Sequence, residues 1–479
     1  MQSWASSRRL PWIALSLLLA VVVAREAALL WRYPVAVGID GYYYVLQIRQ
    51  LTETGRLYFS THTPFFVYLL AALTQLTRNS LIAIKLSSLL LNAFLALGIF
   101  AIISNLTRNL WVALVGSVLA LAPQSHLFMS AEYLNNLAAV VFLLWSAWVL
   151  LRAAETRKLK WLALGGALLI AAGFSHRSAG PVALTLAACG LLLRCLWQRR
   201  QLAGWLGIAI FWLLPALVSV QRWVVVPSWL QSEISFRPRS PFLAPVIPEE
   251  LLLAASSVLL LFLIFRRVHQ NRVQMFDYVF GTIALWSLLV TLNPFLDPQA
   301  VLSGVAGRLR ILASVQVALI TPALLWLSYC IRRQLALYFA AVFLPLIILS
   351  MLAPLPYGLQ SDFLSRRERL IQALRFHAGE LAPNSIVVAP HGDQFVVTAT
   401  IGVPAQQVVP INYQGVTVYW LLNEVNDPAL EGESLILMKD EAATLLVKDT
   451  TLKTRLQSMT SEQRQRLLRT NSGVAMARL

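Results

Sequence analysis

Apolar runs about as long as a bilayer is thick recur between residues 10 and 353, and they limit what this 479-residue chain can fold into more than any other feature. A helix needs about 20 apolar residues to cross a hydrocarbon core about 30 Å thick, because each residue advances it by about 1.5 Å. Runs that reach or approach that length cover residues 10–31, 80–104, 110–129, 131–151, 159–175, 178–196, 202–221, 248–265, 276–291, 308–331 and 334–353. The pattern predicts a polytopic α-helical membrane protein with about eleven transmembrane helices. Composition agrees: 58% of residues are hydrophobic and 13% charged, where a soluble domain has about a quarter charged. The run from Leu10 to Trp31 exceeds a signal-peptide core and has no small-residue cleavage site, so it reads as a retained helix.

The formal net charge of +17 points to nucleic acid only if the cations share a face. They do not. Arg8 and Arg9 precede the first run, and further basic residues fall at 105–109, 152–160, 194–201, 266–275 and 332–333, between runs. Cations in short loops mark the cytoplasmic side. All of these loops reach that side if Pro64–Leu76 is left out, and at about 13 residues it is too short to cross and reads as an interfacial helix. The opposite face then receives residues 32–79, about 123–131, about 174–178, 222–247, 292–307 and everything after Pro354. Residues 1–353 are expected to form the membrane domain. Residues 354–479 change to short apolar runs separated by Pro, Gly, Asn and Asp, and are expected to form a small extracytoplasmic α/β domain. Within it, 362–380 reads as helical and 385–389, 395–400, 416–422 and 434–438 as strands, while 451–471 reads as a solvated amphipathic helix. The 3 cysteines lie in apolar runs and offer neither a disulfide framework nor a CxxC metal spacing.

Polar residues suited to chemistry collect on the external face. Gly38-Ile39-Asp40-Gly41-Tyr42-Tyr43-Tyr44 follows the first run and puts one acid among aromatics. An acid at a membrane boundary is a functional hypothesis by default. The plainer reading is a solvated loop Asp beside interfacial tyrosines. A second stretch holds His126, Glu132, Asn135 and Asn136, and a third is Gly304-Val-Ala-Gly307-Arg308-Leu-Arg310. Acids with guanidiniums at one interface suit a reaction on an anionic lipid: a carboxylate removes a proton from an acceptor and Arg holds phosphate oxygens through paired hydrogen bonds. Lys85 either reaches a lipid phosphate or snorkels to the headgroups. His126 reads either as a substrate contact or as a hydrogen-bonded interfacial side chain.

These residues resemble a known superfamily. An acid in the first external loop followed by aromatics (Asp40-Gly-Tyr-Tyr-Tyr), a helix after a proline in that loop (His62-Thr-Pro64-Phe-Phe-Val-Tyr) and an acidic second loop (Met129-Ser-Ala-Glu132-Tyr) are similar to the GT-C glycosyltransferases, which include oligosaccharyltransferase catalytic subunits, protein O-mannosyltransferases and aminoarabinose transferases. The chain departs from their patterns in having Gly41 after Asp40, Glu at 132 where Asp is usual, and no Trp-Trp-Asp triplet after residue 354. The resemblance implies sugar transfer from a polyprenyl-phosphate donor to a lipid, glycan or protein acceptor at the extracytoplasmic face of a membrane, here expected to be a bacterial inner membrane. It implies Asp40 as the catalytic acid; the residues themselves then suggest Glu132 as its partner that positions the acceptor, Arg308, Arg310 and Lys85 on the donor phosphate, and Tyr42, Tyr43, His62, His126 and Asn136 positioning substrate. Several branches need no metal, and a divalent ion, Mg or Mn, held by Asp40 and Glu132 stays open. A lipid or polysaccharide transporter and a non-catalytic subunit of an envelope-glycan complex are the alternatives; transporters place ionisable groups near the midplane and often show repeated halves, which this sequence lacks.

Overall fold

The computed structural model describes residues 10–58, 64–123, 125–176, 179–197, 247–270, 272–296, 313–353, 355–381, 383–389, 392–406, 417–422, 436–439 and 445–446, together with Ser458 and Thr460. The helices in chain order are α1 (Leu10–Leu30), α2 (Gly41–Thr54), α3 (Phe65–Thr77), α4 (Ser80–Thr107), α5 (Leu110–Leu121), α6 (Ser125–Glu132), α7 (Leu134–Thr156), α8 (Leu159–Ser175) and α9 (Ala179–Trp197). They continue as α10 (Ile247–His269), α11 (Met275–Leu296), α12 (Ala313–Ile331), α13 (Arg333–Met351), α14 (Ser361–His377) and α15 (Asp393–Ile401). The strands are β1 (Ser385–Val388), β2 (Ala405–Gln406), β3 (Thr417–Leu422), β4 (Ile436–Lys439) and β5 (Leu445–Leu446).

Among the described residues, 6 helices are long and apolar enough to cross a membrane, in α1, α4, α7, α10, α12 and α13, or up to 7 if α5 and α6 form one span bent by 54°. The expected run at 202–221 lies outside the described residues, and α8 and the apolar part of α11 are shorter than a full crossing. α3, with 13 residues, is likewise too short, as the charge pattern required. Leucine, valine and alanine make these helices apolar on every side, so large side chains such as Leu17 and Val21 on α1 and Leu337 and Tyr338 on α13 stay exposed. Faces of that kind suit a lipid solvent, which does not penalise exposed hydrocarbon.

The chain divides into two compact units, Met1–Leu29 with Thr61–Leu69 and Leu86–Pro356, and Leu30–Ser60 with Leu70–Lys85 and Tyr357–Leu479. In the first, α12 packs against α10 and α5 and α7 against α8. Hydroxyls join them: Ser256 and Thr321 lie 3.1 Å apart between α10 and α12, and Ser146 donates to the Gly165 carbonyl at 2.7 Å between α7 and α8. Small polar residues that let helices approach are the usual glue in lipid, where the hydrophobic effect does not drive helices together. Asn109 caps α5, its side chain accepting from the Trp111 and Val112 amides.

In the second unit α2 and α14 both pack against α15. The sheet order is β2-β1-β3-β4-β5. β1 runs parallel to β2 and β3, and β3, β4 and β5 run antiparallel. The strands expected at 385–389, 416–422 and 434–438 correspond to β1, β3 and β4. Residues 395–400 do not form a strand but lie within helix α15, ended on both sides by glycines in the left-handed region, Gly392 with φ 90° and Gly402 with φ 74°. Phe395, Val396, Val397, Thr398 and Ala399 are all buried, so packing around the helix overrides their β-propensity. The 451–471 helix lies outside the described residues, apart from Ser458 and Thr460.

Candidate active site

Asp40 is the residue that precedes helix α2, with backbone φ −88° and ψ 7° and no side-chain capping hydrogen bond. The turn is closed by backbone bonds, Gly41 N to Gly38 O at 3.3 Å and Tyr43 N to Asp40 O at 3.0 Å. The carboxylate is therefore not spent on capping its own helix. Gly38 has φ 79°, in the left-handed region that a side chain would resist, and its carbonyl accepts a second bond besides that from Gly41 N.

That carbonyl is taken by Arg367 of α14, 3% exposed, whose Nη1 donates to Gly38 O. The Nη2 of Arg367 donates to the Ile39 carbonyl at 3.3 Å. A guanidinium presents several donors in a fixed fork, so it can hold two successive carbonyls at once. Its position is fixed in turn by the Phe363 ring, 4.4 Å from its centre, and by Asp393 at 4.0 Å. From another side Gly392 closes on the same turn: a Cβ there would lie 2.9 Å from the Ile39 carbonyl oxygen. Gly38 N donates to Gly358 O at 3.1 Å. Three separate contacts thus hold the backbone on which Asp40 sits.

Tyr42, 7% exposed, lies with its ring 5.8 Å from the Arg367 guanidinium. Burial raises its phenol above the ordinary value of 10.0, against the opposing pull of Arg367, a backbone hydrogen bond at Ala36 and Arg375. Tyr43 stacks edge-on to Phe395 at 5.6 Å and accepts a 3.0 Å bond from Gln47. Lys85, 5% exposed, donates to the Tyr33 carbonyl at 2.9 Å and lies 5.7 Å from the centre of the Trp31 ring.

In the other unit, His126 and Glu132 sit at opposite ends of the eight-residue helix α6. Glu132 is 4% exposed and His126 fully buried, its Nε2 2.8 Å from Glu26 Oε1 and its Nδ1 2.7 Å from the Pro123 carbonyl. Asn136, in the first turn of α7, is half-buried.

Comparison with known proteins bears on this arrangement. Residues 61–229 match the family described as dolichyl-phosphate-mannose-protein mannosyltransferase. The oligosaccharyltransferase of Archaeoglobus fulgidus, solved in its apo form, superposes with a TM-score of 0.54 at 11% identity, over 84% of this chain. The chain shares the fold of that oligosaccharyltransferase. The chain spans 65% of the archaeal protein's length. No curated protein sequence matches it.

Of the site residues expected of a GT-C chain, Asp40, Tyr42, Tyr43 and Lys85 belong to one unit and His126, Glu132 and Asn136 to the other. His62, Arg308 and Arg310 lie outside the described residues. Among the described residues no three His, Cys, Asp or Glu side chains gather as a metal site.

Arg367, Gly392 and Glu26 are the residues that sequence reading passed over. Arg367 stands in Arg366-Arg367-Glu368-Arg369, which reads as an ordinary solvated helix face, so nothing local marks it. Glu26 did leave a signal, because an acid inside an apolar crossing is costly unless something uses it.

Proposed function

We propose that this chain transfers a sugar from a polyprenyl-phosphate carrier to a lipid, glycan or protein acceptor, with Asp40 as the base. The observation that carries the reading is the backbone clamp around Asp40: Arg367, Gly358 and Gly392 all bear on the turn whose last residue is the acid. Holding a reacting group in its productive geometry lowers a barrier only if the support is rigid, and a loop acid with no task needs no such support. The shared fold and the family match over residues 61–229 support the coarser part of this reading, a glycosyltransferase.

In the proposed step an acceptor O–H or N–H gives its proton to the Asp40 carboxylate as the acceptor atom attacks the anomeric carbon. The bond from that carbon to the phosphate oxygen breaks, and the electron pair leaves with polyprenyl phosphate. Arg308, Arg310 and Lys85 neutralise that departing charge, the electrostatic contribution that weighs most for an anionic leaving group. Glu132 positions the acceptor, Tyr42, Tyr43, His62 and Asn136 position the substrate, and His126, buried against Glu26 and the Pro123 carbonyl, anchors the start of the helix that ends in Glu132. The remaining apolar runs complete about eleven crossings. The acids and the C-terminal segment face the extracytoplasmic side of a bacterial inner membrane.

The purified chain in liposomes, supplied with a labelled polyprenyl-phosphate sugar and membrane extract as acceptor, is expected to move label from the lipid into an acceptor fraction. Label that instead crosses the bilayer still attached to its lipid contradicts the transferase reading and shows a transporter.

A further inference from the structure

Glu26 lies in the last two turns of α1, a membrane-crossing helix, and is 1% exposed. A buried carboxyl is costly unless its oxygens are engaged, and both are. Oε1 is 2.8 Å from His126 Nε2, in the first turn of α6, and Oε2 accepts from Asn92 of α4 at 2.6 Å. The same Asn92 amide donates to Ser130 Oγ at 2.7 Å, one turn along α6 from His126, and Ser88 of α4 donates to the Ser130 carbonyl at 3.2 Å. Glu26, His126, Ser130 and Asn92 therefore close a ring of contacts that joins α1, α4 and α6.

Nδ1 of His126 faces the Pro123 carbonyl, which only accepts, so Nδ1 carries a hydrogen. Nε2 faces a carboxyl oxygen, so one further proton lies between Glu26 and His126. The preceding residue of α1 completes the arrangement. Arg25 donates to the Leu121 and Ala122 carbonyls at 2.9 and 3.3 Å, at the end of α5, where a cation suits the helix dipole. Two successive residues of α1 thus hold the end of α5 and the start of α6, on either side of the bend between them.

We propose that Glu26 is a positioning residue that fixes helix α6, and with it Glu132 two residues after Ser130, against two membrane helices. The effect on sugar transfer rests on the function proposed above, whereas the effect on α6 does not. Glu26→Gln keeps both links, because its amide can donate to Nε2 and its carbonyl can accept from Asn92. Glu26→Leu keeps the volume and removes both.

The test compares wild type, Glu26→Gln and Glu26→Leu by hydrogen exchange of the 125–132 peptide and by kcat and KM for transfer. Glu26→Leu is expected to speed α6 exchange by about tenfold or more while α8 and α13 exchange as before. It should also lower kcat by about tenfold or more with KM for the donor little changed, and Glu26→Gln should restore both. Where Glu26→Leu does not fold, Ser130→Ala, which deletes one link, should loosen α6 alone. Unchanged α6 exchange in Glu26→Leu or Ser130→Ala overturns the proposal, as does Glu26→Gln failing like Glu26→Leu. Loosened α6 with full kcat overturns the link to Glu132. If wild type transfers no sugar, the exchange result still decides the clamp, so the two failures can be told apart.

Discussion

Arg367 donates to the carbonyl of Gly38, two residues ahead of Asp40 and 329 residues away along the chain. The bond ties a helix that follows the membrane spans to the turn that follows the first of them. It makes the acid's placement depend on a residue with no chemistry of its own.

Removing that guanidinium should therefore disable the turn without touching the acid. Arg367→Ala removes one donor from each of the Gly38 and Ile39 carbonyls, at a cost of about 1–3 kcal/mol in all. Transfer is expected to fall about a hundredfold, as misplaced catalytic groups typically do. Arg367→Lys offers a single ammonium in place of the fork and should recover only part of either loss. Melting temperature and initial transfer rate measure the two effects, and full activity in Arg367→Ala would remove the clamp from the account.

Gly392→Ala is a more local probe. Its φ of 90° disfavours any side chain, and the added Cβ would press on the Ile39 carbonyl. The substitution should cost about 1–3 kcal/mol in backbone strain alone and reduce transfer, because relief can come only by shifting the Asp40 turn or α15. Gly402→Ala is the control: it has a similar φ of 74° but nothing within 4 Å of the added atom, so it should lose stability without a comparable loss of rate.

Much of this architecture could be read from the amino acids, for physical reasons that also explain what could not. Twenty-residue apolar runs have no good alternative to a crossing helix, and charged loops of one sign orient them. The shortness of α3 follows from the same arithmetic. Helix α15 could not be read this way, because Phe395-Val-Val-Thr-Ala-Thr carries β-type residues at a position where burial on all sides decides. Asp40 was visible as an acid beside aromatics in a first loop. Its support was not, since Arg367 looks like any charged helix residue until the fold brings α14 to the turn. Glu26 lay in plain view inside an apolar run, but its partners His126 and Asn92 are 100 and 66 residues away, and no local pattern connects them.

Tyr42 gives the turn a pH signature. Burial raises its phenol above the usual 10.0 in the folded chain. The folded state then holds that proton more tightly than the unfolded state does, so this contribution is complete below pH 10 and is lost as pH rises through the folded value. Stability should fall above about pH 10, and Tyr42→Phe, which has no proton to lose, should show a smaller fall over the same range. Melting curves of the two proteins between pH 8 and 11 measure it, and parallel curves would show that Tyr42 does not report on the turn.

The central claim is that Asp40 takes the acceptor's proton. Its most direct test is transfer of radiolabelled sugar from a polyprenyl-phosphate donor in membranes that hold equal amounts of wild type and Asp40→Asn, a change that keeps the side chain's shape and removes its basicity. The account predicts that the Asn variant folds, since the turn is held through backbone atoms, and that it retains at most about a hundredth of the wild-type rate, in line with the usual worth of a general base. Transfer by Asp40→Asn at the wild-type rate would contradict the account and return Asp40 to an ordinary loop residue.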